Sequence, residues 1–511
     1  MSRARFIFQS SVIVIIFFGL GKVTGLLRGR LVAQVFGTGA AYDAFTSANQ
    51  LPEVFVTLLA GGALAAAFIP VYSTYLTDDR KREGLRVANT TLTLVFLLLV
   101  TVSIIGALLS TWLISQLLVP NFTASQQALT ATLMRIILVQ TTLFGISGVI
   151  SSILNAHQHF ALPAFAPVML DIGYVIGLYL FVPTMGIQGL AWGTVVGGLL
   201  HIAIQVPALI RHRFRFRPRL DVQLSGVREI VRLMGPRIVT LGAIQIADLF
   251  IIRLTSNLPE GSTAGYFYGY NLQQLPETLL GTAIAIVFFP TMAEFFNKGD
   301  IEGMKRTAMS ALGIIWTLTI PAAFAVVLLG REGITLFFEQ GEFDARSTAL
   351  VYGILVFFSV RVVSEATLEI VARLFYAQHD TRTPMAAYVG WLVVNVTLMY
   401  LLVGSMGAAG LALASTVAFT LLSAVLFILN RRRLGSLYER ELLVTAGRSL
   451  AGSLVMTGVI LLVEKWITST LLYFLVAAVA GGLVYLATIT LLGGREIAGL
   501  IRLLLPERAS N

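Results

Sequence analysis

The sequence predicts an all-α integral membrane protein of about fourteen transmembrane helices, arranged as two parallel six-helix lobes plus two C-terminal helices. Three observations predict it. Apolar runs of roughly 20 residues, the length that crosses a hydrocarbon core, recur along the whole chain. Basic residues concentrate in alternate connections between those runs. The first half of the chain is echoed in the second.

Of 511 residues, 57% are hydrophobic and 12% are charged, where soluble domains carry about 25% charged residues. Side chains that face lipid account for the surplus. Backbone polar groups inside a bilayer find no water, so each span must pair its own, as a helix does. A β-barrel would need segments of about 10 residues in strict alternation, and that pattern is absent. Spans are expected near 8–35, 43–73, 87–115, 127–154, 164–183, 187–210, 236–257, 264–293, 308–329, 347–377, 384–404, 407–430, 443–465 and 468–493. Ile7–Leu20 has no small-residue cleavage site and reads as part of the first span rather than a cleaved signal. Arg331–Phe343, with Leu336, Phe337, Phe338 and Phe343 on one side, reads as a short interfacial helix and turn. Glu496–Leu505 reads as an amphipathic tail on the membrane face.

The net charge of +10 resides in short Lys/Arg clusters between apolar runs. Such clusters are topology signals and contacts for anionic lipid headgroups, not a nucleic-acid surface. Arg3 and Arg5, the 80–86 cluster, the five arginines of 211–219, Lys298 to Arg306, Arg431 to Arg433 and the tail all fall on one side. The opposite connections near 116–126, 184–186, 258–263 and 405–406 contain no Lys or Arg. Both termini are therefore expected in the cytoplasm, with an even number of spans. With no cysteine in the chain, disulfides, thiolate catalysis and cysteine metal sites are excluded.

The repeat is explicit. Gln50-Leu51-Pro52-Glu53 recurs as Gln274-Leu275-Pro276-Glu277, an offset of 224. Met185-Gly186 through Ala191 recurs as Met406-Gly407 through Ala412, and Pro163 recurs as Pro384, both at an offset of 221. Ala156-His157-Gln158 precedes the first of these prolines and Ala377-Gln378-His379 the second. The chain thus divides into an N-terminal six-helix lobe at 1–222, a second at 223–435, and two further helices with the tail at 436–511. Parallel repeats about an axis along the membrane normal suit alternating access by two bundles.

Ionisable groups inside spans are costly and generally face a partner or a wet space. Lys22 and Arg28 are six residues apart on the first span, about 600° of rotation and so within ~120° of each other. They form a broad cationic face fit for phosphate oxygens. Asp248, Arg253, Asn271, Gln273, Gln274 and Glu277 make a more polar, less cationic counterpart in the second repeat. Arg361 with Glu365, and Glu369 with Arg373, have the spacing of ion pairs along one helix. Asp171 and His201 are isolated and read as packing hydrogen bonds. Asp248 and Asn395 are weak candidates for a sodium ion, with nothing in the sequence to fix their proximity.

No phosphate-binding P-loop, H-E-x-x-H or G-x-S-x-G is present, and Gly19-Leu20-Gly21-Lys22 lies inside an apolar helix without the P-loop spacing. No cofactor is expected. Transport would draw on sodium, on protons, on the membrane potential, or on consumption of the substrate.

Gly25-Leu26-Leu27-Arg28, Val35-Phe36-Gly37-Thr38-Gly39, Tyr42-Asp43-Ala44-Phe45, Leu51-Pro52 and Ala67-Phe68-Ile69-Pro70 resemble the MurJ (MviN) lipid II flippases. Asn155-Ala156-His157, Pro163 to Pro167 and Phe337 to Phe343 are similar to that family too, so the resemblance covers nearly the whole chain. It places the chain in the multidrug/oligosaccharidyl-lipid/polysaccharide exporter superfamily. It implies transfer of a lipid-linked peptidoglycan precursor across the bacterial inner membrane. The implied partners are an undecaprenyl-pyrophosphate-linked glycan and cell-wall synthesis proteins. Arg28 matches a cavity arginine of that family, Lys22 keeps a charge where relatives carry arginine, and Asp43 matches a family aspartate. Gly29, Val56 and Asn271 depart, standing where the family has an acidic residue and two arginines. Lys22, Arg28, Asp43, Asn271 and Gln274 are the candidate substrate-binding residues. Rival readings are a flippase for another polyprenyl-linked glycan, a cation-coupled small-molecule exporter of the same superfamily, and a membrane scaffold for wall assembly.

Overall fold

The computed structural model describes residues 3–212 and 214–494, so the tail expected at Glu496–Leu505 lies outside the described residues. Among the described residues no strand forms. The main helices are α1 (Arg3–Phe36), α2 (Ala40–Leu59), α3 (Gly62–Ser73), α4 (Lys81–Leu108), α5 (Ala124–Ala156), α6 (Ala161–Ile176), α7 (Ile187–Ala203) and α8 (Ser225–Thr255). They continue with α9 (Ser262–Glu277), α10 (Ala283–Asn297), α11 (Ile301–Phe338), α12 (Ala345–Ala377), α13 (Arg382–Leu434), α14 (Glu439–Glu464) and α15 (Thr470–Leu491).

Among the described residues, twelve helical stretches are long and apolar enough to cross a membrane. Ala40–Ser73 is one such stretch with a break at Ala60-Gly61, and Ser262–Asn297 is one that widens into a π-helical turn. The stretch Arg382–Leu434 is two helices meeting at Gly407, where φ is 58° and ψ −138°. Counting it twice and adding α1 gives the fourteen spans expected. The sequence explains the starts. Thr123 and Gln126 form a reciprocal capping box before α5, and Asp300 and Asp344 accept backbone N–H groups at the starts of α11 and α12.

The repeat is written in the backbone. Gly37 and Gly261 take positive φ of 52° and 90°, 224 residues apart. Gly186 and Gly407 take 57° and 58°, and Gln158 and His379 both take 59°, each pair 221 apart. The last pair closes α5 and α12 in the same way. Gln158 N–H donates to Asn155 and His159 N–H to Leu154, and His379 N–H donates to Tyr376 and Asp380 N–H to Phe375. Each is a Schellman turn.

The chain packs as two compact units, Met1–Ala264 and Gly265–Asn511. In the first, α5 packs against α2, α4 and α7. The break between α2 and α3 lies against Gly148, where an added Cβ would sit 2.4 Å from the Ala60 carbonyl. Helices α6 and α7 approach through glycine: a Cβ on Gly173 would lie 2.2 Å from the Gly197 Cα. Small residues at such spacing let backbones touch in lipid. Helix α8 begins the second repeat but packs on α2 and α3 within the first unit.

In the second unit α12 packs against α11 and α13, and α14 against α15 and α11. A π-helical turn, Thr278–Thr282, joins α9 to α10 and brings Gly281 against Ala366 of α12. One expectation is corrected here. Arg331–Phe338 is no separate interfacial helix but the continuation of α11. The helical backbone runs unbroken through Arg331 to Phe338 and ends at Glu339 (φ −71°, ψ 78°). The expected apolar side faces protein: Phe338 and Phe343 are buried and pack edge-on against Tyr268.

Candidate functional site

In the first unit, α1 places Thr24 and Arg28 one turn apart on one face. That face meets Asp171 of α6. Arg28 Nη1 lies 3.0 Å from Asp171 Oδ1, and Thr24 Oγ1 donates to Asp171 Oδ2 at 2.6 Å. Gly25 lies between them, with its Cβ position 3.9 Å from the same oxygen. The guanidinium carbon stands 4.5 Å from the centre of the Tyr174 ring, a cation–π contact one turn further along α6. Glu53, which accepts from Asn49 at 3.3 Å, adds a second carboxylate within electrostatic reach of Arg28. Arg28 therefore points at protein charge, not into acyl chains. It is half-buried, with 31% of its side chain exposed, and Asp171 is buried.

Lys22 is half-buried on α1. Asp43 is buried, and both of its oxygens are engaged, by Gly261 N–H at 2.6 Å and Ala264 N–H at 2.7 Å. It thereby caps the start of α9. The reciprocal contact is present as well, since Ala40 N–H at the start of α2 donates to Glu260 Oε1 at 2.8 Å.

In the second unit, Gln274 joins a polar network around Glu365. Gln273 and Gln274 donate to its two oxygens at 3.2 and 3.3 Å, and Arg361 Nε stands 3.0 Å from Oε2. Arg361 also donates to Ser415 at 2.8 Å and lies 4.2 Å from the Phe419 ring centre. The second expected pair, Glu369 with Arg373, is formed too. Asn271, the other candidate on α9, is exposed. Asn395 is buried with its Oδ1 unpartnered, while Asp248 is half-buried in α8 of the first unit. Among the described residues no group of three or more His, Asp or Glu is gathered to hold a metal ion.

Sequence reasoning missed Asp171, which read as isolated and is the partner of Arg28. The available signal was that a lone acid in one span and a lone base in another each require a counter-charge. His201 does make the packing hydrogen bond expected of it, with Ser147 at 2.6 Å.

The family model for Lipid II flippase MurJ matches residues 32–481. The lipid II flippase MurJ of Burkholderia cenocepacia is 26% identical over 422 residues, covering 81% of this chain and 82% of that protein. The probable lipid II flippase MurJ of Rhizobium tropici is 29% identical over 461 residues, covering 87% and 85%. A solved structure of the lipid II flippase MurJ in an inward closed conformation aligns with a TM-score of 0.82 at 21% identity, over 94% of this chain and 98% of that one. An inward-facing multidrug resistance MATE family transporter of the MOP superfamily aligns at 0.68 and 14% identity, over 84% and 99%. The family model covers most of the chain and the fold agrees with it throughout: this chain belongs to the MurJ lipid II flippase family.

Proposed function

We propose that this protein is a flippase that carries lipid II, the lipid-linked peptidoglycan precursor, across the bacterial inner membrane by alternating access. Family membership supports the activity. The observation that carries the mechanism is Arg28, a cation held inside the spanning region and balanced by Asp171. An arginine there without a counter-charge would cost several kcal/mol. Asp171 supplies that charge at rest. A pyrophosphate brings more negative charge and bidentate oxygens, so it displaces the carboxylate from Arg28 as the headgroup arrives. Lys22 adds a second cation on the same helix. The arginine-rich connections face the cytoplasm on this reading, which puts both termini there. No cofactor takes part, and the membrane potential acts on whatever charge moves, at about 2.3 kcal/mol per charge per 100 mV.

The test is transfer of fluorescent lipid II between leaflets of vesicles containing the purified protein. The native chain moves the lipid and Arg28→Ala does not. Native protein that leaves lipid II in place overturns the activity, whereas Arg28→Ala moving it at the native rate overturns only the site.

A further inference from the structure

The connection between the Ile187–Arg211 and Ser225–Thr255 spans is a built arm. Asn89 of α4 donates to the Arg215 carbonyl at 3.3 Å and accepts from Arg217 N–H at 3.0 Å. One turn further along α4, Thr93 accepts from Arg219 N–H at 3.2 Å. Asn89 and Thr93 are both buried. Backbone groups at alternate residues therefore face α4, and the segment runs extended beside it. In an extended chain odd and even side chains leave on opposite sides. The odd side carries Arg215, Arg217 and Arg219, all exposed and, among the described residues, without a carboxylate partner, before the half-buried Asp221 that opens the following turn. The even side begins with Phe214, half-buried on the apolar cluster of α3 and α4. It continues with Phe216 and Leu220, which are 49% and 62% exposed, and Val222 in the turn that follows is 53% exposed. Arg82 and Arg86, also exposed, precede Asn89 and Thr93 by seven residues each. Seven residues are about two helical turns, so they extend the same stripe of α4.

We propose that Phe214–Val222 is an interfacial arm that binds the headgroups of anionic phospholipids. A soluble polyanion would satisfy the arginines but leave Phe216, Leu220 and Val222 in water. A neutral bilayer surface would bury the apolar side and leave the arginines unmatched. The edge of an anionic leaflet satisfies both, with apolar side chains at the acyl boundary and guanidinium groups on phosphate. The arm joins the ends of two spans, which sets it at that edge. Asn89 and Thr93 hold the backbone in place beforehand, so little freedom remains to be lost on binding.

The chain has no cysteine, so Val222→Cys in the full-length protein accepts a single fluorophore. Quenching is compared in vesicles of brominated phosphatidylglycerol and brominated phosphatidylcholine. Each arginine near an anionic surface is worth about fivefold in association, so the native arm prefers phosphatidylglycerol on the order of tenfold or more. Replacing Arg215, Arg217 and Arg219 by glutamine brings the preference near one, and replacing them by lysine keeps most of it. Asn89→Ala leaves every arginine in place but frees the backbone, and it weakens the preference. If the glutamine variant does not fold, the lysine and Asn89→Ala variants decide. Equal quenching by the two lipids in the native arm overturns the proposal, as does a preference that survives glutamine replacement or is untouched by Asn89→Ala. Inorganic pyrophosphate, added to phosphatidylcholine vesicles, distinguishes a free phosphate site. If it shifts the fluorophore as phosphatidylglycerol does, the arm reads soluble phosphate and the lipid assignment falls.

Discussion

Arg28 and Asp171 lie 3.0 Å apart on α1 and α6, with the other carboxylate oxygen of Asp171 held by Thr24 at 2.6 Å. Two separate roles converge on this pair, stability and substrate recognition, and they can be separated. Breaking a buried pair costs about 3–5 kcal/mol, and the partial exposure of Arg28 lowers that to roughly 1–2 kcal/mol. Arg28→Ala and Asp171→Ala should each lower the unfolding temperature in detergent. The exchange Arg28→Asp with Asp171→Arg should recover much of that loss, because the pair re-forms. It should not recover lipid II transfer, because the cation then leaves α1. Recovered transfer would show that Arg28 serves only to balance Asp171.

Asp43 caps the first turn of α9 across 218 residues of sequence, through Gly261 N–H and Ala264 N–H. Loss of a capping acceptor costs about 0.5–2 kcal/mol. Asp43→Ala should therefore destabilise the purified protein by about 1–2 kcal/mol in thermal unfolding. Asp43→Asn retains one acceptor oxygen and should lose less. Equal losses from the two variants would mean that the negative charge, not hydrogen bonding, is what α9 requires.

What the sequence discloses depends on whether a residue answers to its own chain neighbours. Arg28 was legible because arginine within an apolar run is costly wherever the helix packs. Its partner was not, because the packing of α1 on α6 is a tertiary contact that no local pattern announces. The repeat was legible because Gly186 and Gly407 satisfy the same backbone demand, φ of 57° and 58°. Arg331–Phe343 reads as a separate interfacial helix and turn, because nothing local shows that its first residues continue α11, which runs on to Phe338. The caps between Asp43 and Gly261, and between Glu260 and Ala40, needed the tertiary structure.

The glycine crossing of α6 and α7 gives a sharp contrast. A side chain at Gly173 would meet the Gly197 backbone at 2.2 Å, whereas Gly353 of α12 has nothing within 4 Å. Overpacking usually costs about 1–3 kcal/mol, and here the obstacle is backbone that cannot rotate away. Gly173→Val should sharply reduce the yield of folded protein in membranes. Gly353→Ala should leave the yield unchanged or raise stability by up to about 1 kcal/mol. Normal yield from Gly173→Val would refute the close approach.

Asp380, in the turn between α12 and α13, accepts from Arg382 N–H, Thr383 N–H and the Thr383 hydroxyl, and pairs with Arg433 at 2.7 Å. Partial burial works against its charge, but these donors outweigh it and hold the carboxyl below its ordinary value. A depressed folded value stabilises the fold above the unfolded value, about 3.9, and that contribution fades as pH falls through the folded value. The native protein should exceed Asp380→Asn in unfolding temperature at pH 7, and the gap should close as pH falls from there through the depressed folded value. A constant gap across that range would assign the effect to packing.

The paired left-handed residues make the last prediction. Gln158 and His379 end α5 and α12 with φ of 59°, a conformation that costs a residue with a Cβ roughly 1–2 kcal/mol and glycine almost nothing. Gln158 is exposed, so Gln158→Gly releases that cost and should stabilise the protein by about 1 kcal/mol. His379 is different. Its ring reaches Asn297 at 3.3 Å and packs edge-on against Phe296, contacts that glycine would remove. His379→Gly should therefore gain less than Gln158→Gly, or lose stability. Thermal unfolding of the two variants side by side decides it. Equal gains would mean that the His379 side chain contributes nothing, and a loss from Gln158→Gly would mean that its backbone is not left-handed.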